Sequence, residues 1–526
     1  MTRDTNQGSY TVVVSNSAGS VTSSAGAMLT VTIALPNDSF ANRTVLNGPN
    51  AQITSTNVGA SKEPAEPNHG GYSGGHSVWW SWTAPATGIV KLDTNGSNFD
   101  TVLAVYAGNS VGGLTGIASD DDSGGGVASQ LTFNAVAGAT YQIAVDGVFM
   151  SSGIVLLNLS LATPPTITLQ PMSVDVIGGS TVALTASASG GEPLFYQWRK
   201  NGLTINGANR ATLIINSVSP ADEAGYSLRV SNSLNSTVSS TAFLSLKSPQ
   251  SVDMPRLSNL SVRSRAGTDS QTLIVGFVVG GASSGGKPIL VRATGPALGT
   301  FGVTGVLTDP RMTLYNGTTP VASNDNWSGD AQVTLISTQV GAFALNSASS
   351  KDAALYRPAQ ANGACSVQVT GVSGTTGIAL AEIYDATLPS SWTSQTPRLI
   401  NLSARGESGS GGDILIAGFV IGGTAAKTVL IRGIGPALTP FGVGGALADP
   451  KLEIFKGTTK IAENDDWGGN AALSAVFAKV GAFALTGTIS KDSSLLITLP
   501  PGAYSAQVGG VAGTTGVVLV EIYEVP

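Results

Sequence analysis

Cysteine, histidine and charged residues are all scarce in this chain of 526 residues. It holds one cysteine and two histidines, and only 11% of its residues are charged, against about 25% in an average globular protein. A single cysteine excludes an intrachain disulfide framework and a zinc site built from cysteines. Disorder is excluded as well, because 42% of the residues are hydrophobic and can form packed cores.

Basic residues are too few for a nucleic-acid-binding protein. Lys and Arg number 26 against 32 Asp and Glu, which gives a net charge of −6, whereas a phosphate-binding surface needs clustered Lys and Arg. No apolar run reaches the roughly 18 residues of a membrane-spanning helix. The first ten residues lack the apolar segment of a signal peptide. We therefore predict no nucleic-acid partner and no membrane span, and we expect that a signal peptide was lost with upstream sequence.

Glycine, by contrast, is abundant, and the apolar segments are short. The chain has 67 glycines, about twice the average share, and they separate runs rich in Val, Ile and Thr. Such runs between turn residues are typical of strands. A helical period is visible only near Ala471–Val480. The sequence therefore predicts an all-β, multidomain array of β-sandwiches.

Two copies of one module occupy the C-terminal half. The motif Arg-Leu-x-Asn-Leu-Ser begins at Arg256 and again at Arg398, and an Asn-Asp-x-Trp motif ends at Trp327 and at Trp467. Spacings of about 140 residues predict repeats at 255–386 and 398–526, joined by a Pro-bounded linker at 387–397. The copies resemble repeats near the C-termini of very large exported bacterial proteins. Each copy has an arginine before Gly-Pro (Arg292 and Arg432), which we expect to pair with the following Asp309 or Asp449.

Residues 164–247 show a different pattern. Residues 179–186 alternate like a half-buried strand, Trp198 follows them, and Tyr226 comes after an Asp-x-x-Gly sequence. This segment resembles a bacterial immunoglobulin-like domain, in which these residues are the core tryptophan and the tyrosine corner. Ala186 and Leu228 take the two cysteine positions, so we expect a core without a disulfide.

A related pattern stands at the N-terminus. Residues 1–33 resemble the last two strands of another immunoglobulin-like domain. Two strands are marginally stable alone, so we predict a C-terminal fragment of such a domain. The alternative is a free hairpin that docks elsewhere.

Residues 35–162 carry the most specific motifs. They include Ser77-Val78-Trp79-Trp80-Ser81-Trp82-Thr83-Ala84-Pro85, an Asp120-Asp121-Asp122 triplet and a strand-like run that ends at Gly147. The block resembles the bacterial pre-peptidase C-terminal (PPC) domain family. That resemblance implies a β-sandwich or jelly-roll-like module appended to secreted peptidases and other exported proteins. It also implies an extracellular or cell-surface location.

Acidic residues of this block are candidates for calcium. Asp120, Asp121 and Asp122 place three carboxylates on one turn, and Glu63 and Glu66 lie in a separate acidic loop. Calcium takes six to eight oxygen ligands, which grouped carboxylates supply. The alternative is that these side chains bond to their own turns. Apart from calcium, the sequence predicts no cofactor.

Trp79 is a candidate ligand platform. In a strand, Val78, Trp80 and Trp82 share the core face, while Trp79 stands among serine and threonine side chains on the other. An exposed indole there could stack on a sugar or a peptide. The alternative is a ring packed under a loop.

No residue set predicts catalysis. The G-x-S-x-G sequence around Ser73 lacks the following helix of a serine hydrolase. We therefore predict a non-catalytic extracellular structural, adhesive or interaction array of an exported bacterial protein, whose ligand is a glycan, a matrix protein or a cell-surface component. One alternative is the C-terminal accessory region of a secreted hydrolase, a peptidase or a polysaccharide-degrading enzyme, with its catalytic domain upstream. Another is a set of carbohydrate- or matrix-protein-binding modules.

Overall fold

The fold is almost entirely β, which confirms the predicted fold class. The structure, a computed structural model, describes residues 8–29, 35–248, 254–268, 271–281, 286–345, 347–388, 391–393, 395–485, 487 and 490–526. The chain divides into two compact units. The first comprises residues up to Pro165 with the segments Gly190–Leu194 and Asn232–Asn235, and the second comprises the rest. In the part of the chain described, no helix has the length and apolar content to cross a membrane.

The N-terminal segment forms nested strand pairs. Its strands are β1 (Gly8–Tyr10), β2 (Val13–Asn16), β3 (Gly19–Thr22) and β4 (Ala27–Leu29). Strand β1 pairs with β4, and β2 pairs with β3, both antiparallel. Valines at 12, 13, 14 and 21 are all more than half exposed. That the segment is a fragment of an immunoglobulin-like domain stays a prediction, and residues 1–7 and 30–33 lie outside the described residues.

Residues 35–162 form two sheets packed on one core. The strands are β5 (Thr44–Leu46), β6 (Asn50–Thr56), β7 (Val78–Thr83), β8 (Gly88–Asp93), β9 (Thr101–Ala107), β10 (Thr115–Asp120), β11 (Gln130–Ala135), β12 (Thr140–Gly147) and β13 (Ile154–Ala162). The sheet orders are β10-β9-β12-β7-β5 and β11-β8-β13-β6. Val78, Trp80 and Trp82 point into the core between the sheets, as the alternation predicts.

Residues 166–247 form an immunoglobulin-like sandwich. The strands are β14 (Thr166–Leu169), β15 (Val174–Ile177), β16 (Val182–Thr185), β17 (Ser187–Ser189), β18 (Phe195–Lys200), β19 (Leu203–Thr204), β20 (Thr212–Ile215), β21 (Ala224–Ser231), β22 (Ser236–Val238) and β23 (Ala242–Lys247). Trp198 is fully buried, and the Tyr226 hydroxyl donates to the Asp222 carbonyl at 2.9 Å. Ala186 and Leu228 are also buried, so apolar packing takes the place of a disulfide.

The two C-terminal copies have the same succession of elements. In the first copy these are β24 (Arg256–Ala266), β25 (Leu273–Gly280), β26 (Lys287–Thr294), β27 (Pro310–Asn316), β28 (Thr319–Asn324), α1 (Ala331–Val340), β29 (Ala353–Gln360), β30 (Gly363–Gly371) and β31 (Gly377–Asp385). In the second they are β32 (Arg398–Ser408), β33 (Leu415–Gly422), β34 (Lys427–Ile434), β35 (Pro450–Lys456), β36 (Thr459–Asn464), α2 (Ala471–Val480), β37 (Ser493–Leu499), β38 (Gly502–Gly510) and β39 (Gly516–Glu524).

Helix α2 confirms the helical period seen in the sequence, whereas α1 was not predicted. The sequence of α1 contains Val333, Thr334, Ile336 and Thr338, and such β-branched residues are poor helix formers. Its ends are nevertheless well capped. The Asp330 carboxylate accepts from two backbone N–H groups, and Gly341 closes the helix in a left-handed conformation.

Strands of the two copies pair with each other. Strand β24 of the first copy is antiparallel to β33 of the second, and β25 is antiparallel to β32. One sheet of 16 strands results, in which β24 also pairs with β32 through Leu257 and Leu399. Its two branches have the orders β28-β27-β30-β25-β32-β39-β34-β37 and β29-β26-β31-β24-β33-β38-β35-β36. One hydrophobic core contains residues of both copies. The two repeats, which the sequence predicts as two sandwiches, therefore share one hydrophobic core.

The immunoglobulin-like domain lies against the second copy, within the same compact unit. Strand β16 runs along β37, where the Ala183 N–H donates to the Thr498 hydroxyl at 2.7 Å. The Thr185 hydroxyl donates to the Leu496 carbonyl at 3.2 Å. Ala183 also joins an apolar cluster of the second copy that contains Phe477.

Candidate functional site

Three aspartates come together at one end of the 35–162 sandwich. Carboxylate oxygens of Asp100, Asp121 and Asp122 all lie within 4.8 Å of one another. Asp100 immediately precedes β9, and the other two follow β10. Because β9 and β10 are antiparallel neighbours, with Asp120 opposite Leu103, the start of one strand lies beside the end of the other. The hairpin therefore brings the three side chains together.

The electrostatics of this aspartate cluster favour a cation. Burial raises the pKa of Asp100, and the charges of Asp121 and Asp122 raise it further. The Tyr72 hydroxyl donates to Asp121 Oδ2 at 2.6 Å, and this hydrogen bond raises the tyrosine pKa. Oδ1 of Asp100 and Oδ1 of Asp121 are buried and accept no hydrogen bond within the described residues. Closely spaced carboxylate oxygens without donors are suitable ligands for a hard divalent cation.

The cluster differs in membership from the predicted calcium ligands. Asp120 is not part of it, because Asp120 Oδ2 accepts from the backbone N–H groups of Ser123 and Gln130 at 2.9 and 2.7 Å. Burial would raise the pKa of Asp120, but these hydrogen bonds outweigh burial and lower it. Asp100 was missed in the sequence, where it stands twenty residues before the triplet. The feature that could have indicated Asp100 is its position immediately before β9, which pairs with β10.

Glu63 and Glu66 belong to a different arrangement. Glu63 Oε2 accepts from the Phe40 N–H at 2.5 Å, and Glu66 Oε1 lies 2.9 Å from His69 Nε2. His69 Nδ1 lies 2.7 Å from the Tyr106 hydroxyl. With Glu66 ionised, the imidazole Nε2–H donates to it. The two glutamates therefore order the loop before β7 and lie outside the aspartate cluster.

Trp79 is buried, which corrects the prediction of a ligand platform. Its side chain is 0% exposed. The rings of Phe40, His69 and Tyr106 surround it at centroid distances of 5.2, 5.2 and 6.0 Å. The small hydroxyl residues beside it in the strand indicated an open face, but the His69 loop covers that face. Trp79 therefore offers no surface to a sugar or a peptide.

Each C-terminal copy contains a buried arginine–glutamate pair. Arg292 Nε lies 3.1 Å from Glu382, and Arg432 Nε donates to Glu521 at 2.8 Å. The expected pairings of the two arginines with Asp309 and Asp449 are wrong. Strand β31 places Glu382 directly opposite Arg292, and β39 places Glu521 directly opposite Arg432. The sequence feature that indicates these glutamate partners is the repeated Glu-Ile-Tyr motif, which begins at Glu382 and at Glu521.

Comparisons with known proteins identify two domains. The model of the bacterial pre-peptidase C-terminal domain family matches residues 76–147, and the model of the immunoglobulin domain family matches residues 164–232. The chain contains both domain types. The resemblance of residues 35–162 to the PPC family and that of residues 164–247 to an immunoglobulin-like domain are thereby confirmed. A search of curated proteins finds no match.

Solved structures similar to the chain include immunoglobulin-domain proteins. A chimeric titin Z1Z2 functionalized with a decorin peptide is 29% identical and covers 17% of this chain and 98% of its own, with a TM-score of 0.15. The tandem Ig repeats of Dlar are 18% identical over 38% of this chain and 98% of theirs, with a TM-score of 0.16. An amphioxus IgVJ-C2 molecule is 17% identical over 31% and 98%, with a TM-score of 0.18.

Proposed function

We propose that the chain is a non-catalytic extracellular interaction array of an exported bacterial protein. The observation that carries this proposal is the presence of a PPC domain and an immunoglobulin-like domain in one chain, together with paired β repeats. PPC domains occur in exported bacterial proteins. Loops that a rigid β-sandwich holds in position often carry binding residues. The ligand class is a glycan, a matrix protein or another cell-surface component.

The positions of the buried polar side chains support the non-catalytic part of the proposal. His69 is 0% exposed and bonds to Glu66 and Tyr106, so its ring nitrogens are used in holding a loop. Arg432 is equally buried against Glu521. Groups paired in this way stabilise a fold but offer no exposed acid, base or nucleophile to a substrate.

A binding screen with a parallel turnover assay tests the proposal. Biotinylated full chain is applied to immobilised glycans, matrix proteins and bacterial or host cell surfaces, and each bound ligand is then incubated with the chain. We expect saturable binding to at least one of them and no cleavage of it. Turnover that disappears in Ser73→Ala would contradict the proposal, as would a complete lack of binding.

Calcium at the aspartate cluster is part of the proposal. Asp100, Asp121 and Asp122 would hold the ion with carboxylate oxygens, of which two are buried without donors. A bound cation would fix the β9–β10 end of the PPC domain and remove the repulsion among the three carboxylates. It would serve structure and not chemistry.

The PPC match also favours a second candidate function. The chain would then be the accessory region of a secreted hydrolase, such as a peptidase or a polysaccharide-degrading enzyme. The two candidates differ in what precedes the chain in the gene. Sequencing the upstream reading frame decides between them, because a hydrolase domain in frame favours the second candidate and further β-sandwich modules favour the first.

A further inference from the structure

A cavity of about 270 Å³, with a lining of mixed polar and apolar residues, lies at the junction of the two C-terminal copies. Its lining includes Arg256 and Asn259 from β24, Gln339 from the end of α1, and Asp385 from the end of β31. Val420 from β33 of the second copy contributes an apolar wall. Both copies therefore build the cavity, which exists only because their strands pair.

The second copy has larger groups at the corresponding places. Ser258 lines the cavity, and Ile400 stands at the same position of the repeated motif. Gln339 corresponds to Lys479, whose ammonium bonds to Thr181 Oγ1 at 3.2 Å and to the Pro526 carbonyl at 3.1 Å. Asp385 corresponds in the same way to Glu524, which is one methylene longer. In a duplicated framework, these smaller side chains leave space in the first copy.

Polar groups around the cavity are held in place by their neighbours. The Arg256 guanidinium lies over the Trp392 ring, 4.1 Å from its centroid. The Lys287 ammonium lies over the same ring at 4.6 Å and pairs with Asp385 Oδ1 at 2.7 Å. Stacking and ion pairing of this kind reduce the entropy that a ligand must remove on binding.

One carboxylate oxygen of the lining has no hydrogen-bond donor. The Asp385 side chain is 2% exposed, and its Oδ2 is buried without a partner among the described residues. A buried acceptor of this kind is costly unless a ligand or water supplies a donor. Among the described residues of the lining, Arg256 and Asp385 carry charges, and these are opposite in sign. The cavity is therefore suited to a neutral ligand that both donates and accepts hydrogen bonds.

We propose that this cavity binds one sugar residue of a glycan. A hexose is small enough for the volume, presents several hydroxyl groups that each donate and accept, and has an apolar face for Val420 and the Tyr384 ring. This inference rests on the proposed function and deepens it, because it names the ligand class and places the contact at the junction of the copies.

The test exchanges residues between the copies. Ser258→Ile and Gln339→Lys each introduce the residue that the second copy carries at the corresponding position. The isoleucine fills part of the cavity, and the lysine places an ammonium group in it. Ile400→Ser is the matched control, since it makes the reverse exchange away from the cavity. Methyl glycosides of glucose, galactose, mannose and N-acetylglucosamine are each titrated from about 0.1 to about 50 mM into the full chain and each variant, and saturation-transfer NMR gives the Kd. Circular dichroism verifies folding.

We expect at least one glycoside to bind the full chain with a Kd on the order of 1 mM, which is typical of one small site. Both exchanges into the first copy should weaken binding about tenfold or more, and Ile400→Ser should leave it unchanged. If one exchange fails to fold, the other decides the outcome.

Two results would overturn the cavity assignment. They are the failure of every glycoside to bind the full chain, and a Kd that is unchanged in both cavity variants. If the full chain still binds a glycan or matrix protein in the screen described above, the cavity assignment fails while the proposed function stands. Absence of all binding in that screen is instead the failure of the proposed function.

Discussion

Crowded carboxylates are the clearest single-residue feature of the PPC domain. Burial raises the pKa of Asp100, and repulsion by the charges of Asp121 and Asp122 raises it further. A cation that binds the folded state stabilises it by mass action. We therefore predict that millimolar calcium raises the melting temperature of the PPC transition. Calorimetry of the full chain with calcium, magnesium and chelator measures this, and magnesium should do little because it requires tighter octahedral geometry.

Paired substitutions locate the calcium effect. Asp121→Asn keeps the shape of the side chain and removes one charge, so the calcium-dependent rise should shrink strongly. Asp120→Asn is the matched control, because Asp120 accepts backbone hydrogen bonds outside the aspartate cluster, and its calcium response should persist. Equal responses in both variants would contradict the site, as would no calcium response in the unmodified chain.

Glu66 links stability to pH. Burial would raise its pKa, but hydrogen bonds from His69, Ser77 and the Glu63 backbone outweigh burial and hold the pKa below its usual 4.5. A lowered pKa in the folded state contributes stability that is present above pH 4.5 and is lost as the pH falls through the folded-state value.

The prediction concerns Glu66→Gln. Its destabilisation relative to the unmodified chain should be largest near pH 7 and should shrink as the pH is lowered below 4.5. Urea unfolding followed by tryptophan fluorescence, at pH 7 and at a pH below 4.5, measures the free energy of unfolding of the variant and of the unmodified chain. Glu192→Gln, at an exposed loop position, provides the control. A Glu66→Gln effect that does not change with pH would show that the ionised carboxylate is not the stabilising species.

At the scale of elements, β37 shows what fixes the immunoglobulin-like domain on the second copy. Its Thr498 hydroxyl accepts from the buried Ala183 N–H, and the Thr428 hydroxyl donates to the Thr181 carbonyl. The corresponding positions of the first copy are Pro288 and Pro358, which have no hydroxyl. The same hydrogen bonds are therefore impossible there, and the attachment is specific for the second copy.

We predict that Thr498→Val destabilises this attachment by about 1–3 kcal/mol, because it leaves a buried N–H without an acceptor. Valine keeps the shape and the β-branching of threonine, so strand packing is unaffected. Differential scanning calorimetry measures the loss, and Thr459→Val, an exposed strand position in the same copy, should change little. Equal stability of Thr498→Val and the unmodified chain would contradict the role of this hydroxyl.

At the scale of the whole molecule, the two C-terminal copies should unfold together. Phe277 of β25 lies opposite Leu402 of the second copy, and Phe419 of β33 lies opposite Leu260 of the first. Both phenylalanines are 1% exposed in one shared core. Because strands pair across the junction, each copy depends on the other to complete its hydrophobic core.

We therefore expect Phe277→Ala and Phe419→Ala to destabilise the same calorimetric unfolding transition. Each should reduce its free energy of unfolding by about 3–5 kcal/mol. Phe133→Ala, in the core of the PPC domain, is the control and should lower a different transition. Two separate transitions for the copies, each sensitive to only one of the two substitutions, would contradict the shared core.

Local features of this chain were predictable from its sequence, and long-range contacts were not. Alternation placed Val78, Trp80 and Trp82 in a core, because each strand residue points to one of only two faces. The burial of Trp79 depends on a loop that contains His69, and the strand pattern holds no information about that loop. Asp100 joins Asp121 only through the pairing of β9 with β10. The pairing between the copies was hidden for the same reason, since a repeat in sequence does not reveal which strands meet.

The measurement that tests the central claim most directly is the binding of the full chain to immobilised glycans, matrix proteins and cell surfaces, followed by analysis of each bound ligand for cleavage. A non-catalytic interaction array predicts saturable binding to at least one of these ligands, which is then recovered intact. Binding to none of them would contradict the account, and so would recovery of a cleaved ligand.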